Sequence, residues 1–106
     1  MTGARAGNIA VLGEALIDVV NGQPHVGGSP LNVAVGTARL GHRVRFLGRH
    51  GTDEYGAMIE RHLRDNRVDS VFPPDPLPTS VAVAQLDVSG VATYDFRLRW
   101  EMPGLS

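Results

Sequence analysis

Two adjacent glycines followed by serine and proline, Gly27-Gly28-Ser29-Pro30, narrow the fold of this chain more than any other feature. A β-rich run ends at them and a helix-favouring stretch begins. Ser29 is placed to cap a helix, and Pro30 suits its first turn, where the N–H that proline lacks has no intrahelical partner. The helix is predicted to run to about Leu40, with Gly41 as its stop.

The flanking segments extend the pattern. Ile9-Ala10-Val11-Leu12, ended by Gly13, is a short apolar run of the kind expected for a strand covered on both faces. Arg43 to Leu47 predicts a second strand. Glu54 to Asn66 predicts a helix capped by Thr52 or Asp53, and Val68 to Phe72 a third strand. Within that helix Tyr55, Met58, Ile59, His62 and Leu63 recur at helical spacing and form a core stripe, while Arg61, Arg64 and Arg67 form a solvated side. Strand, helix, strand, helix, strand is the order of a parallel sheet with crossover helices.

Other segments break that order. Asn21-Gly22 predicts a tight turn, after which Gln23 to Val26 returns as a strand. Pro73, Pro74, Pro76 and Pro78 form a stiff link. Two β-rich runs follow, Ser80 to Val88 and Val91 to Leu98, separated by Ser89-Gly90. The expected fold class is therefore α/β: a partial parallel sheet with crossover helices plus a small antiparallel β lid. It forms one unit over 1–106, with the core at about 8–15 and 27–79 and the lid strands at about 16–26 and 80–100.

Composition removes several functions. Ten arginines stand against 11 acidic residues, for a net charge of −1, so no basic surplus exists to neutralise the phosphates of a nucleic acid. With no cysteine, a disulfide framework, a thiol nucleophile and cysteine-ligated metal are excluded. The histidines His25, His42, His50 and His62 fall on different predicted elements without metal-ligand spacing, and no metal site is expected. No apolar run approaches the ~20 residues that span a bilayer. The expectation is a cytoplasmic protein that binds neither nucleic acid nor membrane.

A longer pattern surrounds the glycine pair. Gly27-Gly28-Ser29-Pro30-Leu31-Asn32-Val33-Ala34 is followed by Gly41 and Gly51 at set intervals. That arrangement resembles the N-terminal signature of the ribokinase family of sugar kinases, the phosphofructokinase-B type. Val11-Leu12-Gly13-Glu14-Ala15-Leu16-Ile17-Asp18 and Tyr94-Asp95-Phe96-Arg97 are similar to the fructokinase-like branch. The resemblance runs from about Asn8 to Trp100.

The resemblance implies a ribokinase-like fold and a set of sugar-binding residues. Asp18 accepts hydrogen bonds from sugar hydroxyls, Gly27 and Gly28 let the backbone pass close to the sugar, and Asn32 binds a further hydroxyl. Arg97 or Tyr94 faces the sugar from the lid. The lid also pairs with a second subunit, so a homo-oligomer through the β lid or the open sheet edge is expected. Taken singly, Asp18 reads as a strand-end residue, Asn32 as a solvated helix residue and the glycine pair as a tight turn. Their shared place in the signature is what assigns them. Glu14 suits a supporting role as well as that of an acid.

The same resemblance implies ATP and Mg in the complete enzyme, with the base supplied by a Gly-x-Gly-Asp motif. That motif is absent here, and so is lysine altogether. The chain alone is therefore expected to carry no catalytic residue, to bind no cofactor and to transfer no phosphate. It reads as the N-terminal, sugar-binding part of an ATP-dependent sugar kinase. The alternative is a non-catalytic sugar-binding or oligomerisation module derived from one.

Overall fold

The computed structural model describes residues 8–86 and 92–97, with 85, 86 and 92–97 given by their backbone. The elements in chain order are β1 (Asn8–Leu12), β2 (Leu16–Val20), β3 (Gln23–Gly27), α1 (Ser29–Arg39), β4 (Arg43–Leu47), α2 (Glu54–Asp65), β5 (Val68–Ser70), β6 (Val81–Leu86) and β7 (Ala92–Arg97). They form two sheets, ordered β1-β4-β5 and β3-β2-β6-β7.

The first sheet is parallel throughout. Helix α1 carries the chain towards β4 and α2 carries it on to β5, both steps in one direction across the sheet. Right-handed crossovers made in one direction place both helices on one face. The burial follows: Val44, Phe46 and Val68 of the sheet pack with Leu31, Ala34 and Val35 of α1 and with Ile59 and Leu63 of α2. Tyr55 and Met58 lie against the same cluster, as their spacing predicted. The opposite face carries Ala10, Arg45 and Asp69 in one row and Leu12 beside Leu47 in the next. Nothing among the described residues covers it, and Leu12 is 59% exposed. The expectation that β1 is covered on both faces is thus corrected, because both crossover helices occupy the same side.

The second sheet is the lid. Its β2–β3 hairpin turns on Asn21 and Gly22, at φ 48° and 81°, the positive values that a two-residue turn needs to match strand twist. β6 and β7 are also antiparallel, but β2 and β6 pair in parallel, with Asp18 opposite Ala82. The lid is therefore two antiparallel hairpins joined at a parallel seam, because β6 leaves the proline link running in the direction of β2. The predicted Ser89-Gly90 turn lies outside the described residues. Ile17 belongs to the main hydrophobic cluster and Val19 and Val26 pack against it, so one face of the lid adjoins the core.

Element ends show where local chemistry overrides pattern. Gly28, not Ser29, caps α1: at φ 102° its carbonyl already accepts from the N–H of Asn32 at 2.9 Å, which makes Ser29 and Pro30 the first two helical residues. At its other end α1 closes with the N–H of Gly41 bonded to Ala38 and that of His42 to Thr37, a Schellman motif with Gly41 at φ 97°. Asp53 caps α2 by accepting from the N–H of Gly56 at 2.8 Å. β5 is shorter than predicted. Val71 still donates to the carbonyl of Phe46, but two residues later Pro73 offers no N–H to continue the ladder.

Candidate functional site

The carboxyl ends of β1 and β4 meet the start of α1 and the inner end of the lid hairpin. Open α/β sheets bind ligands at this end of their strands. The N–H of Gly13, just past β1, donates to the carbonyl of Leu47 at 3.2 Å. A methyl group on Gly13 would overlap the ring of Pro30, and one on Gly48 would overlap the carbonyl of Gly13. Glycine at both places lets the first turn of α1 seat directly on the strand ends.

Gly28 needs its glycine for two reasons. Its φ of 102° is strained for any side chain, and a β-carbon there would stand 2.9 Å from the carbonyl oxygen of Glu14. No side chain caps α1, so its first turn keeps backbone N–H groups unanswered by any capping residue. One turn further along, the side chain of Asn32 is exposed.

Gly27 lies against Asp18. A β-carbon on Gly27 would overlap Oδ2 of Asp18, so the carboxylate occupies the space where a side chain would be. Asp18 is half-buried on β2 and makes no hydrogen bond or ion pair among the described residues. Asp53 and Asp75, which follow β4 in the chain, are differently placed: both carboxylates are engaged in hydrogen bonds.

The structure therefore brings Asp18, Gly27, Gly28 and Asn32 together along one short path from lid to helix. Arg97 stands apart from them. It ends β7, separated from β2 by β6, in register with Val81 and through it with Ile17. The row that contains Asp18 runs His25, Asp18, Ala82, Phe96. Only the backbone of Arg97 and Tyr94 is described.

Sequence reasoning missed a polar network beneath the site. Arg49, 2% exposed, follows β4 and reaches the proline link. Its Nε donates to Asp75 Oδ2 at 2.9 Å and its Nη2 to Oδ1 at 2.7 Å. The same guanidinium donates to the carbonyls of Leu77 and Pro78 at 2.8 and 3.0 Å. Asp53 adds a second tie, accepting from the N–H and the hydroxyl of Thr79, while Thr79 Oγ1 accepts from the N–H of Gly51. Together they pin the link just before β6 begins. The only sequence signal was the cap at Asp53, since an arginine between a strand and a turn has no distinctive spacing.

Both carboxylates are held below the ordinary value of 3.8. For Asp75 the main cause is the Arg49 hydrogen bond, which outweighs the opposing effect of burial. For Asp53 burial is the largest single influence and pushes upwards, but the bonds from Thr79 and Gly56 together exceed it. A lowered folded-state value means stability that is fully present above 3.8 and is lost as pH falls through the folded value. In urea denaturation as a function of pH, the stability that these two carboxylates contribute is thus expected to be lost below about pH 4. Asp75→Asn is expected to be less stable at neutral pH and to lose less on acidification; an unchanged acid limb would detach the network from it.

Among the described residues no group of three or more His, Asp or Glu could hold a metal ion. No helix among them is long and apolar enough to cross a membrane.

Comparison with known proteins agrees with this fold. The profile of the pfkB family carbohydrate kinases matches residues 6–96. The fructokinase of Klebsiella pneumoniae is 38% identical over 100 residues, which is 88% of this chain and 33% of that enzyme. The crystal structure of fructokinase from Vibrio cholerae O395 in apo form superposes with a TM-score of 0.77 at 32% identity, covering 93% of this chain and 36% of that one. Aminoimidazole riboside kinase from Salmonella enterica, complexed with aminoimidazole riboside and an ATP analogue, gives 0.68 at 30% identity, covering 83% of this chain and 30% of that one. The chain spans about a third of the length of the relatives it matches.

Proposed function

The chain belongs to the pfkB family of carbohydrate kinases, and on that premise we propose that it forms the sugar-binding part of an ATP-dependent, fructokinase-type kinase. Asp18 accepts from the sugar hydroxyls, which a carboxylate can do at both oxygens, and Asn32 offers a donor and an acceptor from the facing helix. Gly27 and Gly28 keep side chains out of the space between them, whereas Arg97, expected from the resemblance to face the sugar, stands in the row of Ile17 and takes no part in this reading. The observation that carries this reading is Asp18: a half-buried carboxylate set over a glycine, at the ligand-binding end of the sheet, with no partner among the described residues. Leaving such a group unsatisfied is costly, and a hydroxyl-rich ligand removes the cost.

In the complete kinase a phosphoryl group passes from MgATP to a sugar hydroxyl. The residues of this chain do not fit the nucleotide's needs: it has no lysine and no Gly-x-Gly-Asp segment. The base and the nucleotide pocket are accordingly placed outside it, and its own share of the work is to hold the sugar and to exclude water through the lid. The protein is read as cytoplasmic and as a homo-oligomer formed through the lid or the open edges of the core sheet, where unpaired backbone groups invite a second copy.

Isothermal calorimetry with fructose and ribose tests the reading. Saturable binding with a dissociation constant of about 1 mM is expected, equivalent to about −4 kcal/mol. A folded chain that binds neither sugar but forms a dimer in light scattering would instead favour an oligomerisation module.

A further inference from the structure

We propose that His25 is a second sugar-reading residue of the lid, acting beside Asp18 on the same hydroxyl array. The inference rests on the sugar-site reading above and extends it to a residue outside the glycine-rich signature. In the β2–β3 hairpin His25 stands directly opposite Asp18, and Gly27 opposite Leu16. Residues two apart on a strand share a face, so His25 and Gly27 lie on the same side of β3. That side is the one occupied by the Asp18 carboxylate, which fills the position of the missing Gly27 side chain. Directly opposed residues of an antiparallel pair have β-carbons about 4.5–5.5 Å apart, so one sugar can span both side chains.

A purely structural role for His25 lacks support. The residue is exposed and makes no hydrogen bond or ion pair among the described residues. On β2 and β3 that face carries Leu16, Asp18 and Val20 opposite Gly27, His25 and Gln23, and across the seam Ala82 follows Asp18. His25 is thus the polar side chain next to the carboxylate, while Gln23 sits further out at the hairpin tip. The chemistry is complementary. A carboxylate only accepts, whereas a neutral imidazole has one donor and one acceptor nitrogen. Adjacent hydroxyls of a polyol can donate to Asp18 and accept from His25, a pairing that one carboxylate alone cannot provide.

The test is calorimetric titration of fructose into the chain and into three variants, with thermal unfolding recorded for each. His25→Ala is expected to weaken binding about 5- to 20-fold, and His25→Gln, which keeps a donor and an acceptor, to stay within about 3-fold of the parent. Neither should shift the unfolding midpoint by more than about 2 °C. If Asp18→Ala loses fructose while His25→Ala binds as the parent does, the sugar site stands and the role of His25 is overturned. Equal weakening in both His25 variants, with lowered midpoints, assigns it to structure and also overturns the proposal. If the parent chain binds no fructose, the sugar-site reading itself fails and takes this inference with it.

Discussion

Asp18→Ala is expected to weaken fructose binding by about 10- to 100-fold without lowering the thermal stability of the chain. The first half follows from the strength of hydrogen bonds to a charged acceptor, about 1.5–3 kcal/mol each, converted at 1.36 kcal/mol per tenfold. The second half follows from the structure. The carboxylate is half-buried and receives no bond among the described residues, so truncating it removes a partly desolvated charge and breaks no bond to any of them. The unfolding midpoint should hold or rise slightly, the behaviour of a group kept for function at some expense of stability. Asp18→Asn should fall between the two, since an amide can accept one hydroxyl but lacks the charge. Calorimetry and circular dichroism on the same samples decide it. A midpoint lowered by more than about 5 °C would mark Asp18 as a structural residue whose partners lie elsewhere.

Much of the fold is legible in the sequence because the decisive interactions are local. Asn21-Gly22 can close a two-residue turn from its own backbone preferences, and Asp53 lies three residues before the N–H it caps. The stripe through Ile59 and Leu63 needs only the helical period to show which side is buried. What stayed hidden depends on distant partners. The parallel seam pairs Asp18 with Ala82 across more than sixty residues, and neither strand's alternation reveals the direction of its neighbour. Gly28 displaces Ser29 as the cap through a positive backbone angle, beside the carbonyl of Glu14, that residue preference for capping does not reveal. The candidate site shows the same division. The spaced glycines and Asn32 identify it in one stretch of chain, whereas His25 joins it only through the hairpin register.

Arg49 is the clearest case of chemistry invisible in sequence, and its replacement has the largest expected effect on stability. Arg49→Met is expected to cost about 3 kcal/mol, within the range for breaking a buried ion pair by deleting one partner. The lower end applies because the side chain of Asp75 keeps 26% of its surface exposed, so water takes up part of the lost interaction. The remaining loss comes from the carbonyls of Leu77 and Pro78, which the same guanidinium serves. Against a total of about 5–15 kcal/mol for a domain of this size, that is a large fraction. Lysine should not rescue it, because a single ammonium cannot make the forked contact to both oxygens of Asp75 while also reaching two carbonyls. Removing the carboxylate as well, in Arg49→Met with Asp75→Leu, should recover about half of the loss, since an apolar pair leaves no uncompensated charge. Urea denaturation of the two single variants and the double variant measures that coupling. A single-variant loss under about 1 kcal/mol would mean that the proline link holds its place without Arg49. The lid should then stay anchored through Asp53 and Thr79, whose bonds join the start of α2 to the residue preceding Ser80, whose carbonyl receives the N–H of Ile17.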